Sequence, residues 1–166
     1  MESGEEPDTG PDIVKMRALG ITALTVTLIV SFVTPYALLN YIGEPLPYPR
    51  PPGWPTHIWL YLQGAFSVNV GFLEWYKTDG LGLSLYDSAL FWVLSLIAAL
   101  QFLHPTWDRK RLAVHLVVLI FSLTAWILCA HAIYGDMDDY AVIPIPITPV
   151  VALVALLLIC ISSRSE

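Results

Sequence analysis

The residue types best able to do chemistry in this chain are four histidines and a small group of acids. The histidines are His57, His104, His115 and His131. An imidazole serves as a metal ligand or a proton carrier only when a second group meets it at the same place. His115 and His131 fall on one expected helix, sixteen residues apart. That separation is about 24 Å along the axis and nearly half a turn around it, so the two cannot hold one haem or one metal. Each is read as a buried, hydrogen-bonded histidine. His131 lies near Asp136, Asp138 and Asp139, where a solvated acidic loop is the plain reading and a cation site the alternative. Cys129 and Cys160 sit in apolar runs at different depths, which leaves no disulfide between them. Cys160 reads as a packing residue, with palmitoylation as the alternative for a cysteine close to a membrane face. No Ser/His/Asp constellation, CxxC, glycine-rich phosphate loop or HExxH occurs, and neither Asn40 nor Asn69 stands in an N-x-[ST] acceptor. The expectation is a chain with no catalytic, cofactor or metal site, and so not an enzyme.

The elements that carry these residues are apolar. Of 166 residues 56% are hydrophobic and 13% charged, with a mean hydropathy of +0.65. A soluble domain carries about 25% charged residues, so an ordinary cytosolic enzyme is excluded. A net charge of −6 without a long basic run excludes nucleic acid as a partner. Crossing the hydrocarbon core takes about 20 apolar residues, and four stretches qualify: about 18–42, 86–104, 112–134 and 146–163. The first is too long for a cleavable signal and follows an acidic segment, so it reads as a retained anchor. Residues 1–14, acidic and holding Pro7 and Pro11, are expected to be a disordered tail. Residues 15–163 are expected to form one membrane domain. Lys15, Arg17, Arg109, Lys110, Arg111 and Arg164 fall on one side of such a bundle, and only Arg50 and Lys77 on the other. That bias places both termini in the cytoplasm. Trp54, Trp59, Trp75, Trp92 and Trp107 lie near the expected interfaces as an aromatic belt.

The outer loop, 43–85, begins with prolines at 45, 47, 49, 51, 52 and 55. These fix an extended connector, with a proline-recognition ligand as the alternative. Alternating apolar residues then predict strands at about 57–63, 66–76 and 81–86, with Thr78-Asp79-Gly80 as a hairpin turn. Three strands alone are marginal in water, so the sheet is expected to rest on the helix tops. Phe72, with Val68 and Val70, is expected on the face that does so. In the second outer loop Ala141 to Ile145 is expected to add an edge strand, since prolines interrupt it. Thr148 is expected to cap the fourth helix with Pro149 in its first turn.

Certain local residues resemble the claudin and peripheral-myelin-protein superfamily. Gly64-Ala65-Phe66-Ser67-Val68-Asn69-Val70 has the spacing of the claudin Gly-Leu-Trp, two residues, Cys-Val motif. Leu83-Ser84-Leu85-Tyr86-Asp87-Ser88-Ala89-Leu90 fits the frame in which claudins place their second cysteine, an aromatic and Asp-Ser-Leu-Leu. Thr34-Pro35-Tyr36 is similar to the close of span one, and Arg111 with Ile133-Tyr134-Gly135 to the two ends of span three. The resemblance covers most of residues 18–163. It departs where both cysteines are replaced, by Asn69 and Leu83, and where Ala37 stands for a tryptophan. It implies a membrane four-helix bundle with a small antiparallel β-sheet formed by the extracellular loops. On that frame Asn69 and Leu83 are expected on neighbouring strands.

Two functions follow from that resemblance. One is a non-catalytic accessory subunit of a larger plasma-membrane complex, an ion channel or receptor. The other is claudin-like cell–cell adhesion or self-assembly. The C-terminal ISSRSE lacks the hydrophobic last residue that a PDZ scaffold captures, which favours the accessory subunit. The expected partners are the lipid bilayer and a larger integral membrane protein, or a second copy. Span one carries more small residues than a bundle needs, so Gly20, Thr22 and Thr27 are candidate partner contacts. Phe66, Phe72 and Trp75 of the outer sheet are the others.

Overall fold

In a computed structural model, described over residues 11–43, 57–74, 85–103, 109–135 and 139–162, four helices stand under one sheet. Helix α1 runs Pro11–Val33, α2 Leu85–Leu100, α3 Arg109–Tyr134 and α4 Ile147–Ser162. One 3-10 turn, Gln101–Leu103, continues α2. The strands are β1 Ala37–Tyr41, β2 His57–Tyr61, β3 Gly64–Ser67, β4 Gly71–Glu74 and β5 Tyr140–Pro144. All are antiparallel, in the order β4-β3-β2-β1-β5.

Three helical stretches are long and apolar enough to cross a membrane: Val14–Val33, Tyr86–Leu103 and Lys110–Tyr134. The fourth, α4, is apolar but has 16 residues. Their packing is that of an integral membrane domain. Small residues fill the interior: Ala23, Ala98, Ala99, Ala130, Ala152, Thr27, Ser31 and Ser122 are buried. They share it with Leu119, Leu156 and Ile159, while other large apolar residues point outward, Ile21 and Leu158 among them. Lipid tails are as apolar as leucine, so close backbone approach decides which residues go inside. Thr27 and Ser31 donate to the Ala23 and Thr27 carbonyls at 2.8 Å each, which satisfies both buried hydroxyls within α1.

The first apolar run does not continue to residue 42. The Thr34 N–H and hydroxyl both donate to the Val30 carbonyl, and Pro35 then stops the helix, because it has no N–H and disfavours helical backbone before it. Ala37–Tyr41 leaves as a central strand between β2 and β5. The start of α1 also moves, to Pro11, inside the expected disordered tail; proline suits the first helical position. The expected strand 66–76 is broken in two. The Val70 N–H donates to the Ser67 carbonyl at 3.2 Å, and Gly71 takes a positive φ of 84° that returns the chain as β4. Residues 85 and 86, expected in a third strand, are already helical; 75–84, with the Thr78-Asp79-Gly80 turn, lie outside the described residues. The edge strand expected at 141–145 is β5, one residue earlier. The cap of α4 shifts too. Pro146 accepts the first helical bond, from Val150, so Thr148 is inside the first turn with Pro149.

Sheet and bundle meet at Tyr36. Its ring stacks on Phe91 with centroids 4.1 Å apart, and Phe91 meets Trp126 edge-on at 5.2 Å. Its hydroxyl shares a 2.8 Å hydrogen bond with that of Tyr134. Its N–H donates to Leu60, while its carbonyl accepts from Ile145 N–H and from Trp126 Nε1. Burial first, then the neighbouring Tyr134 phenol, holds the Tyr36 phenol well above its ordinary pKa, so it stays neutral.

Gly20 faces inward, against the 3-10 turn. A Cβ there would stand 2.8 Å from the Phe102 carbonyl oxygen. Thr22 is exposed and donates to its own Ala18 carbonyl at 2.9 Å. Gly20→Leu should therefore destabilise the purified protein by about 1–3 kcal/mol or more through overpacking. Thr22→Leu should stay within about 0.5 kcal/mol. Thermal unfolding in detergent checks the pair, and equal stabilities would contradict the packing.

Candidate interaction surface

The sheet has two chemically distinct faces because its alternation is maintained across five strands. Ala37, Leu39, Ile58, Leu60 and Ala65 point toward the helices and are buried, joined by Leu62 from the following turn. The opposite face presents an apolar row. Ile143 pairs with Leu38, Leu38 with Trp59, Trp59 with Phe66 and Phe66 with Phe72. One side chain from every strand thus lines up across the sheet. At about 4.8 Å per strand the row is roughly 19 Å wide. Its two ends are the most open, with Ile143 47% and Phe72 48% exposed. Tyr61 adds an edge-on contact to Phe72 at 6.3 Å. Beyond Phe72 the turn leaves Val68 79% exposed.

The row is held rigid from below. The β2–β3 turn, Leu62-Gln63, has no positive φ to match the strand twist. Instead it is tied to the helices. Gln63 Nε2 donates to the Phe32 carbonyl at 2.8 Å, and Trp92 Nε1 donates to the Leu62 carbonyl at 3.1 Å. Phe32 and Trp92 themselves meet edge-on at 4.9 Å. Gly64 lets β4 approach closely, since a Cβ there would strike the Leu73 carbonyl.

Of the residues expected to contact a partner, Phe66 and Phe72 come together as cross-strand neighbours on this outward face. Thr22 is exposed but far from them in the chain, on α1. Gly20 and Thr27 are buried in the bundle, where they pack within this chain, while Ala18, Thr22 and Thr25 of the same helix are exposed. Trp75 lies outside the described residues. Phe72, Val68 and Val70 do not rest on the helix tops: Phe72 pairs with the outward-facing Phe66, and Val68 and Val70 belong to the exposed turn between them. Asn69 sits in that turn and not on a strand; Leu83 lies outside the described residues. Leu38, Trp59 and Ile143 complete the row without having been expected in it. For Trp59 a signal was present, its alternation against Leu60. Leu38 was concealed in the first apolar run.

The groups suited to chemistry are dispersed. His131 is exposed at the sheet end of α3, and among the acids near it only Asp139 is described, its carbonyl accepting from Ile42 and Gly43. His115 sits toward the other end, with Nδ1 2.8 Å from Gln101 Oε1. Among the described residues no three His, Cys, Asp or Glu side chains come together. Cys129 and Cys160 are not joined in a disulfide, and Cys160 lines an apolar groove between α3 and α4.

If the two faces differ as described, Leu60→Ala should cost about 2–5 kcal/mol, whereas Phe72→Ala should cost under about 1 kcal/mol. Chemical or thermal unfolding of both variants is the check; a large loss for Phe72→Ala would place that ring in the core. No known family model, curated protein or solved structure matches the chain.

Proposed function

We propose that this is a four-span, non-catalytic protein of the plasma membrane with both termini cytoplasmic. It serves as an accessory subunit of a larger membrane complex such as a channel or receptor. The observation that carries the reading is the apolar row Ile143–Leu38–Trp59–Phe66–Phe72. Aromatic side chains on a rigid scaffold are the usual anchors of a protein interface, and contiguous exposed apolar surface marks such sites.

Several features support the remaining parts. Helix α4 exposes Val154, Leu157, Leu158 and Ile161, an outer face as apolar as that of α3, which water would disfavour and lipid would not. Lys15, Arg17, Lys110 and Arg111 cluster at the bundle end away from the sheet, which the positive-inside rule assigns to the cytoplasm. A sheet formed from both loops above four helices also agrees with membership of the claudin and peripheral-myelin-protein superfamily, as a relative lacking the loop disulfide.

The test is purification in mild detergent from native membranes, comparing wild type with the double variant Phe72→Asp, Ile143→Asp. Both positions are half exposed, so folding should survive. The expected result is a larger membrane chain that co-purifies with wild type and is lost with the variant, while the melting temperature is unchanged. Loss of self-association alone would instead favour the adhesion reading. Unchanged co-purification would rule the outer face out as the interface.

A further inference from the structure

At the bundle end opposite the sheet, Lys110, Arg111, Val114 and His115 line a cavity of about 270 Å³. It is open to the surroundings and smaller than the roughly 300–1,000 Å³ of a drug-sized ligand site. Two cations and an imidazole share its wall. The imidazole is fixed: Gln101 Nε2 donates to the Ile97 carbonyl at 3.0 Å, which leaves Oε1 to accept from His115 Nδ1 at 2.8 Å. The cavity is continuous with an apolar lane. Lys110, Val114, Val117 and Phe121 follow at steps of four, three and four, so they share one face of α3. Val114 is 60%, Val117 66% and Phe121 69% exposed. From Lys110 to Phe121 the lane is about 16 Å long, close to half of the roughly 30 Å hydrocarbon core. It therefore has the depth of one leaflet.

We infer that this surface binds one anionic phospholipid, its phosphate between Lys110 and Arg111 and an acyl chain along Val114, Val117 and Phe121. The ammonium and guanidinium supply several donors for phosphate oxygens, and basic pockets at the mouths of helices suit anionic headgroups. The lane selects a lipid over a soluble anion, because only a lipid covers both parts. This inference rests on the membrane reading of the helices, not on the partner reading of the sheet.

The test is native mass spectrometry of the full chain in detergent, titrated separately with phosphatidylglycerol and with phosphatidylcholine. One phosphatidylglycerol should be retained under conditions that strip phosphatidylcholine. Lys110→Gln with Arg111→Gln should weaken phosphatidylglycerol roughly 30-fold, from about 1 kcal/mol per basic residue. Lys15→Gln with Arg17→Gln removes the same charge at the same end and should leave the preference intact. Equal retention of the two lipids by wild type, or equal loss in both double variants, would overturn the site. Displacement of the lipid by millimolar inorganic phosphate would overturn the lipid assignment in favour of a soluble anion. Failure of the site leaves the membrane reading standing, since that reading is tested by the need for detergent to extract the chain.

Discussion

The aromatic joint at Tyr36 is the contact on which the rest of the fold depends. One residue ends α1's exit, begins the sheet and closes the top of the bundle. Its backbone is bonded to β2, to the approach of α4 and to Trp126, while its ring and hydroxyl are enclosed by Phe91 and Tyr134. A small sheet is marginal by itself. Here its inner face, Leu39, Ile58, Leu60 and Ala65, is buried against that aromatic group. The sheet is consequently an extension of the helical core, and its outer face is presented at fixed geometry.

Below the joint the packing changes character. Alanines and hydroxyls lie between the helices beside Leu119, Leu156 and Ile159, and many other large aliphatic side chains face out. Burying leucine gives little advantage in lipid, so the inside is chosen for close approach. Gly20 against the Phe102 carbonyl is one such close approach. The two ends of the molecule then have different surroundings. An apolar row crosses the sheet at one end, and lysine and arginine gather at the other.

The helices were legible because a run of apolar residues carries its own length. What followed α1 was not, since Ala37-Leu38-Leu39-Asn40-Tyr41 prolongs the same run and only Thr34-Pro35 signals the exit. The break between the first two strands was expected at 64–65 and falls at Leu62-Gln63, which contain no glycine or asparagine; that turn is fixed by Gln63 and Trp92 reaching across the structure. Val68 and Val70 fit an alternating strand by composition, and Gly71 was the one residue that pointed to a turn. Phe72 lies on the outer face because it is the cross-strand partner of Phe66, and paired residues share a face. Two of the five residues of the outward row, Phe66 and Phe72, were among those expected at a partner. Of the small residues in α1, Gly20 and Thr27 are buried within the bundle, whereas Ala18, Thr22 and Thr25 are exposed.

The most direct measurement on the joint is a double-mutant cycle between Tyr36→Phe and Tyr134→Phe, read by thermal unfolding in detergent. Each single change leaves the other hydroxyl buried without its 2.8 Å partner, which should cost about 1–3 kcal/mol. The double change removes both hydroxyls and should cost less than the two singles added together. Strictly additive losses, or singles with no effect, would contradict a joint built on that shared bond.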